Sequence, residues 1–586
     1  MSMMNLLKKQ KPGQSGSALV LTMILGAVGL AILASVMAWS ATSTRLTNRS
    51  IEYTRATAAA EAATEKVVGQ MTQDFLFGGQ SLVANNLNGY RQNMVPTAAD
   101  SAYWGTWVFD DGAGNTGQTY VQGSAGNSYI VLDSTYASLK GYATTYTVVS
   151  HAHDPAASQP VTAGVYQELQ LAVIPIFQFA MYSSGNMEIS CGQPFDVTGR
   201  VHSNKTLYVE PDNSLTFEST VTAVVAILPQ RDPLDPRGTT PNGGPAVYVL
   251  TANNPTTVEP MTLPIGTTNT PEAIREIIEP PPSGEDPNSP LGRLRYYNQC
   301  DMLLVVSNSG VTASSGGFNG FSTVIPPGDL PLFVSTNSSF RDAREGKTVQ
   351  PIDINVGNLT AWGATNTSLR TALSGASVSS IYVVDKRTLP GGSMGAVRVL
   401  NGLQLPVNGL TVATGLPLYI QGDYNQTVAA NLGTANTSTT RPASLVADAI
   451  TILSDAWSDA NSSSPVGSRI AASTTVNAAF LTGVVETTAA HYSGGMENFP
   501  RFLETWGSAN IFTYNGSMVK MFPSLYATNA WNNNNNIYSP PKRNWAYDLN
   551  FEDPAKLPPK TPGLLKVFRS RWSTAAPGQN VATTYR

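Results

Sequence analysis

Charged residues are scarce in this chain. Asp, Glu, Lys and Arg make up 13% of its 586 residues, about half of the ~25% typical of globular proteins, and they sum to a net charge of −4. The 35 Lys and Arg residues form no basic tract, so we expect no nucleic-acid partner. Neither a P-loop nor an H-E-x-x-H motif occurs in the sequence. We therefore expect a protein without catalytic residues, cofactor or metal.

Cysteine and histidine are almost absent. Cys191 and Cys300 are the only cysteines, a number compatible with one disulfide in an oxidising compartment, although two buried free thiols fit the sequence almost as well. His151 and His153 in "HAHD" would share one face of a strand, but no third metal ligand is indicated. We interpret His202 in "GRVHSN" as a turn or ladder histidine, and "FDDGAGNTG" as a plain Asp/Gly turn.

One long apolar run stands near the amino terminus. No charged residue occurs between Lys11 and Arg45, and residues 17–41 alone would make a helix of roughly 37 Å at ~1.5 Å per residue, enough to span a bilayer. A secretory signal has an apolar core of only about 7–15 residues, so simple removal of this run is not expected. The lysines at 8, 9 and 11 predict a cytoplasmic leader and an exported body.

The same helix is predicted to continue beyond the membrane. "RLTNRSIEYTRATAAAEAATEKVVGQMTQDF" (45–75) has no Pro and one Gly, and its Ala-rich register has no break. We expect two surfaces for packing against other helices, one in the apolar half around Leu30 and one on a ridge of small residues, comprising Ala56, Ala59, Ala60 and Ala63. The open alternative is a stalk, or a helix packed on its own domain.

These features resemble a type IV pilin-like protein. The residues that carry the resemblance are a basic leader, Gly16 before "SALVLTMILG", a long half-membrane helix and "AAAEAATEKV". PilX-type minor pilins are the most similar group, followed by minor pseudopilins of type II secretion. The resemblance implies cleavage by a prepilin peptidase between Gly16 and Ser17. Leu21 stands where the family commonly has glutamate, a departure that suits a tip or initiating subunit.

Two antiparallel strands and a larger β-rich body are predicted to follow. "YATTYTVVSHAHD" (142–154) and "VTAGVYQELQLAVIPIFQFAMY" (161–182) alternate apolar and polar residues around a "PAASQP" turn. Further on, "GNMEISCGQPFDVTG" (185–199) is echoed by "GLTVATGLPLYIQG" (409–422), and short apolar strands recur every six to ten residues. This spacing favours a parallel β-helix with coils of roughly 20–25 residues, with an antiparallel sandwich as the alternative.

The carboxyl region differs in composition from the rest of the chain. Residues 493–522 and 538–563 are rich in aromatics, proline and paired charges, and they resemble the carboxyl region of large PilX-type proteins. Because a solenoid must cover its open end, we predict a cap that includes Phe499, Arg501, Phe502, Glu504, Trp506, Trp545 and Asp548. An aromatic platform for sugar is the alternative for these residues.

The predicted fold class is α+β, mainly β. The predicted segments are a leader (1–16), a transmembrane and pilin-like helix (17–78), an antiparallel β domain (79–178), a β-helix-like body (179–460), a cap (461–565) and a tail (566–586). The predicted function is that of a non-enzymatic minor pilin-like or pseudopilin-like subunit, anchored in the inner membrane with its body in the periplasm or outside the cell. Its N-terminal helix is expected to assemble into a type IV pilus or secretion pseudopilus, so that the surface filament displays the β-rich body for adhesion or tip assembly. Its expected partners are the membrane, other pilins and a prepilin peptidase, with a surface glycan or cell-surface ligand also considered. The alternative is a membrane-anchored carbohydrate-binding or carbohydrate-active protein.

The first prediction concerns processing of the leader. We expect the bond between Gly16 and Ser17 to be cut, because small residues flank it after a lysine-bearing leader. Intact-mass measurement on protein extracted from membranes would then give a chain that starts at Ser17. A chain that keeps Met1 in a host with an active prepilin peptidase would contradict the prediction.

Overall fold

A computed structural model describes residues 15–132, 139–238, 243–250, 258–529, 531 and 536–575. Most of the predicted leader and residues 576–586 of the predicted tail lie outside these ranges. Within them the chain is an α+β protein with a long amino-terminal helix and a large β-rich body, which confirms the predicted fold class.

The amino-terminal helix, α1 (Ser15–Asn85), is 71 residues long. Gly79 interrupts it with a φ of 67°, a left-handed conformation that glycine adopts without strain. Residues 17–51 are exposed along roughly 50 Å at ~1.5 Å per residue, and this part is long and apolar enough to cross a membrane. From residue 53 onward the helix packs on the rest of the molecule.

A six-stranded antiparallel sheet receives the second half of α1. Its first five strands and a short helix follow α1 in the chain: α2 (Leu87–Asn93), β1 (Val108–Asp110), β2 (Tyr120–Gly123), β3 (Ser128–Val131), β4 (Lys140–His153) and β5 (Ala163–Pro175). Strands β4 and β5 pair antiparallel, with Tyr142 opposite Val173 and Ala152 opposite Ala163. The predicted antiparallel pair is therefore confirmed.

The alanine ridge of α1 lies against this sheet. Ala56, Ala59, Ala60 and Ala63 are at most 1% exposed and pack on Trp107, Phe109, Ala152, Ala163 and Val165. The assignment of this ridge to packing against other helices is wrong, because the chain's own sheet already occupies it. Small side chains let the helix backbone approach the sheet closely. Leu30 is 69% exposed, in the part of α1 that is exposed along its length in the described structure.

The body begins with nine short strands wound into three successive coils. They are β6 (Met181–Ser183), β7 (Met187–Ile189), β8 (Phe195–Val197), β9 (Val201–Ser203), β10 (Thr206–Val209), β11 (Leu215–Phe217), β12 (Val221–Ala223), β13 (Ala226–Leu228) and β14 (Val247–Tyr248). Equivalent strands of successive coils pair in parallel: β6 with β9 and β12, β7 with β10 and β13, and β8 with β11 and β14. Met181, Val201 and Val221 stand in register, so each coil takes 20 residues.

A long connection then crosses the body. We call residues 258–300 the strap; it contains the short helices α3 (Pro271–Arg275), α4 (Pro290–Leu294) and α5 (Tyr296–Gln299). The Tyr182 hydroxyl donates to the carbonyl of Met261 near its start, and the Tyr382 hydroxyl donates to that of Ile278 further along. The strap therefore carries the chain from the first coils to the far end of the body.

From the far end the chain winds back. The elements there are β15 (Met302–Ser307), β16 (Gly310–Ser315), β17 (Thr323–Ile325), β18 (Val334–Ser335), β19 (Phe340–Asp342), β20 (Lys347–Asn355), α6 (Val356–Thr365), α7 (Thr367–Ala372), β21 (Ser380–Asp385), β22 (Ser393–Gly402), β23 (Leu410–Thr414), β24 (Leu418–Tyr424), β25 (Ala443–Ala447), β26 (Ile450–Leu453), β27 (Thr474–Asn477), β28 (Ala479–Val484), β29 (Arg501–Phe502), β30 (Ile511–Gly516), β31 (Met518–Pro523) and β32 (Lys542–Tyr547). One sheet runs in the order β12-β9-β6-β31-β28-β25-β23-β21-β15-β16-β17. Its strands are parallel from β12 to β15, and hairpins end it at β16 and β17.

The predicted cap does not cover an end of this stack. Strand β31 lies between β28 and β6, and β30 lies between β27 and β32, so the segment belongs to the middle of the body. Phe502 and Trp506 are at most 1% exposed, with their rings edge to face at 5.5 Å. The cap prediction is wrong because pairing of β31 with β6 puts the carboxyl region beside the first coil.

The predicted tail is also corrected. Residues 563–575 form β33 (Gly563–Ala575), which pairs antiparallel with β5 along its length. Gly563 lies opposite Pro175 and Ala575 opposite Gly164. The chain thus returns to the small sheet that it left at residue 175.

The two cysteines are buried free thiols, which corrects the proposed pairing of Cys191 with Cys300. Cys191 follows β7 in the first coil, and Cys300 directly precedes β15. Five strands separate β6 from β15 in the long sheet, roughly 29 Å at ~4.8 Å per strand spacing. A disulfide needs Cα atoms within about 7 Å.

The second prediction uses the buried ridge. Ala59→Arg places an unpaired charge between α1 and the sheet, and we expect it to destabilise the folded chain by about 3–5 kcal/mol. Ala58→Arg is the matched control, because Ala58 is exposed on the same turn of the helix. Thermal unfolding and limited proteolysis of the detergent-solubilised variants measure the difference. Equal stability of the two variants would contradict the packing described here.

Candidate binding cavity

A cavity that combines charged and apolar walls lies at the junction of the first and last coils. Its volume is about 360 Å³, within the range of small-molecule sites. Several parts of the chain far apart in sequence build it: β7, Tyr208 and the loop after β13, the segment after β19, Ala449 after β25, and residues 483–501 with β31. It therefore exists only when β31 lies beside β6.

One wall of the cavity is acidic. The Glu188 side chain on β7 is buried, and it accepts hydrogen bonds from the hydroxyls of Thr487 and Ser493, the latter at 3.1 Å. The backbone N–H of Asp232 donates to its other oxygen at 3.4 Å. Burial raises the pKa of Glu188, and the nearby Asp232 carboxylate adds to this. The wall thus presents carboxylate oxygens as hydrogen-bond acceptors.

Basic side chains line the same cavity. Lys520 on β31 pairs with Glu486 at 3.0 Å and donates to the carbonyl of Asn186 at 3.1 Å. Arg501 pairs with Glu345 and donates to the carbonyl of Ala527 at 2.9 Å. Arg344 also lines the cavity. Two of these three cations therefore already have a carboxylate partner.

A second cavity of about 230 Å³ shares Asn498 with the first. Aromatic rings line it: Trp531 meets Tyr492 edge to face at 5.6 Å, and the Trp531 indole donates to the Tyr538 hydroxyl at 2.6 Å. The Arg237 guanidinium lies 3.6 Å from the centre of the Tyr492 ring. Together the cavities offer aromatic faces, acidic acceptors and basic donors.

Glu497 lies at the wall of this second cavity. The N–H of Ser190 and the hydroxyl of Tyr492 donate to its carboxylate at 3.2 and 3.1 Å. Burial raises the pKa of Glu497 to about 7, against an opposing effect of the Arg543 charge. Its proton is therefore lost near neutral pH rather than in acid.

The predicted site residues are only partly brought together here. Phe499 and Arg501 line the first cavity. Glu504 instead accepts from the N–H and the hydroxyl of Ser454, both at 2.7 Å, and Asp548 accepts from the Thr437 hydroxyl at 2.7 Å. Trp506 and Trp545 are buried among other aromatic rings.

Sequence reasoning missed Glu188, Arg344, Tyr492 and Glu497. Glu188 lies within the first echo and Glu497 within the aromatic carboxyl region, but neither pattern distinguishes a cavity residue from a core residue. No sequence pattern marked Arg344, because its position in the cavity depends on pairing between coils that are distant in the chain.

Two histidines and the Asp/Gly turn can be placed in the fold. His202 Nδ1 lies 2.8 Å from the Thr222 hydroxyl of the next coil, and burial lowers the pKa of His202 to about 4, so it is a neutral ladder residue as predicted. Asp111 accepts from the N–H groups of Ala113 and Asn115, which confirms the turn. His151 lies 3.6 Å from Asp110, and the described residues contain no group of three potential metal ligands.

Residues 391–395 read G-x-S-x-G, the pattern of a hydrolase nucleophile elbow. An elbow places its serine at a sharp turn from a strand into a helix. Ser393 instead begins β22, which runs on to Gly402. The pattern therefore does not form an elbow here.

Comparisons with known proteins do not assign the chain to a family. No protein-family model matches the chain, and no curated protein matches it. Among solved structures, the competence-associated pilin ComZ from Thermus thermophilus is similar, with 11% sequence identity and a TM-score of 0.30 over 89% of this chain and 97% of that one. A TM-score of this size does not establish a common fold.

The third prediction follows from the raised pKa of Glu497. The folded chain binds this proton more tightly than the unfolded chain, whose carboxyl has an ordinary pKa near 4.5. The group therefore lowers the free energy of unfolding as the pH rises from about 4.5 to about 7, by up to about 3 kcal/mol.

We expect Glu497→Gln to remove this dependence and to raise the melting temperature at pH 8 relative to the wild type. Glu272→Gln, on an exposed helix start, is the control and should leave the profile unchanged. The measurement is the melting temperature of each variant between pH 4 and 8. A wild-type profile that stays parallel to that of Glu497→Gln would contradict the prediction.

Proposed function

We propose that this protein is a non-enzymatic minor pilin-like or pseudopilin-like subunit of the PilX-type group. Residues 17–41 anchor it in the inner membrane until α1 inserts among the helices of other pilins in a pilus or secretion pseudopilus. The body is then displayed outside the membrane, at the filament tip. In this proposal the stack of parallel strands is a parallel β-helix, which the 20-residue register of the first coils supports.

The observation that carries the proposal is the division of α1. Its second half packs on the small sheet through the alanine ridge, which fixes the helix to the exported part of the chain. Its first half is exposed and apolar from residue 17 onward and contains no charge before Arg45. A helix held in this way can exchange lipid for other apolar helices without refolding the body.

The apolar exposure continues past the first charge. Leu46 and Ile51 are 63% and 52% exposed, and both lie beyond Arg45. They are outside the expected hydrocarbon, so anchoring does not account for them. Contact with a neighbouring helix in a filament would cover them.

The fourth prediction separates anchoring from assembly. Leu30→Arg puts a charge near the centre of the span, where it costs about 2.5–3.5 kcal/mol on insertion scales, so we expect loss of both membrane retention and assembly. Leu46→Arg should leave the anchor intact and reduce incorporation into sheared surface filaments at least tenfold. Leu332→Arg is the matched control, because Leu332 is exposed at the far end of the body.

Membrane fractionation and quantitative blotting of sheared filaments measure the two effects. Wild-type incorporation of Leu46→Arg would contradict assembly through α1. Wild-type membrane retention of Leu30→Arg would contradict the anchor itself.

A further inference from the structure

Arg344 is a buried cation that has no ion pair among the described residues. Its side chain lines the first cavity, and the residue is 6% exposed. Nε donates to the carbonyl of Asn529 at 3.3 Å, and neither terminal nitrogen has a hydrogen bond or an ion pair within the described ranges. A buried charge is costly unless it is paired. The terminal nitrogens can therefore pair with an anion that enters the cavity.

The carboxylates near Arg344 already have hydrogen-bond or ion-pair partners. Asp342 accepts from the N–H groups of Arg344 and Glu345 and from the Tyr419 hydroxyl at 2.7 Å. Glu345 pairs with Arg501 and accepts from the N–H of Asn529 at 3.1 Å. Burial and the neighbouring Arg501 charge both lower the pKa of Arg344. An anion in the cavity would offset both effects.

The rest of the cavity limits what that anion is. Glu188, Asp232 and Glu486 line the same space, so a ligand with several negative charges would be repelled. Glu188 and Asp232 have no ion pair among the described residues and can accept hydrogen bonds from hydroxyl groups. In the adjoining cavity the partly exposed ring of Trp531 is available for stacking, whereas Tyr492 is 4% exposed and lies against the Arg237 guanidinium.

We propose that the first cavity binds a carboxylate-bearing sugar unit of an acidic glycan. The sugar carboxylate would pair with the terminal nitrogens of Arg344, as guanidinium and carboxylate match in a bidentate pair. Ring hydroxyls would donate to Glu188 and Asp232. The next sugar would stack on the ring of Trp531 in the adjoining cavity. This goes beyond the proposed function and does not depend on filament assembly.

The test is calorimetric titration of the detergent-solubilised full chain with neutral oligosaccharides that carry one uronate unit. The probes carry a single galacturonate, glucuronate or mannuronate at the end of an otherwise neutral chain, each also as its methyl ester. We expect at least one free acid to bind at least tenfold more tightly than its ester, because the ester has no charge for Arg344.

Arg344→Met is the central variant. It should reduce binding of the free acid at least tenfold without lowering the melting temperature, because no ion pair within the described residues is lost. Arg344→Lys should keep part of the affinity. Arg370→Met removes an exposed arginine on α7 and should change nothing.

Three results would overturn the proposal: no binding of any free acid, equal binding of acid and ester, or tighter binding of inorganic phosphate or an oligonucleotide than of every uronate. The comparison of acid with ester uses only the wild-type chain, so it decides the matter even if Arg344→Met fails to fold. Binding without filament incorporation would leave this proposal standing and contradict only the proposed function.

Discussion

The pairing of β33 with β5 governs the arrangement of the whole chain. Strand β5 leads out of the small sheet into the first coil, and β33 returns from the last one to pair with it from Gly563 to Ala575. Without β33, one edge of β5 would expose a row of backbone N–H and C=O groups, since only its other edge pairs with β4. The first and last coils must therefore lie side by side, and β31 meets this requirement by pairing in parallel with β6.

Because the first and last coils lie side by side, the chain cannot build the body as one uninterrupted series of coils. The coils build outward from the junction to β12, and the strap then carries the chain to β15, from which it winds back. Arg275 on the strap pairs with the fully buried Asp448 at 2.7 Å, and the N–H groups of Leu525 and Tyr526 donate to the same carboxylate. Buried ion pairs contribute little net stability, but removing one partner is costly. Here the pair fixes where the strap crosses.

The candidate cavity is a product of the same junction. Glu188 comes from the first coil, Lys520 from the last, and Arg344 from a segment beside β19. Their meeting creates a space lined by Arg344, which has no ion pair among the described residues. The anchor and the cavity are also independent of each other, since α1 contacts the small sheet and not the cavity walls. Display and ligand binding can thus be altered separately.

The sequence by itself determined the local features. An uncharged apolar run made residues 17–41 a membrane-length helix, and alternation made β4 and β5 an antiparallel pair. Regular spacing of short apolar strands predicted coils of roughly 20–25 residues, which the first coils match at 20 and later ones exceed, as between Ile381 and Val412. Each of these signals comes from neighbouring residues. The tertiary structure decided the rest: whether the alanine ridge faces its own sheet, whether residues 499–506 lie at an end or in the middle, and whether Cys191 can reach Cys300. These outcomes depend on pairing between strands hundreds of residues apart, as between β6 and β31. Such pairing uses backbone hydrogen bonds, which nearly all residue types can make, so the residue types of a strand do not specify its partner strand.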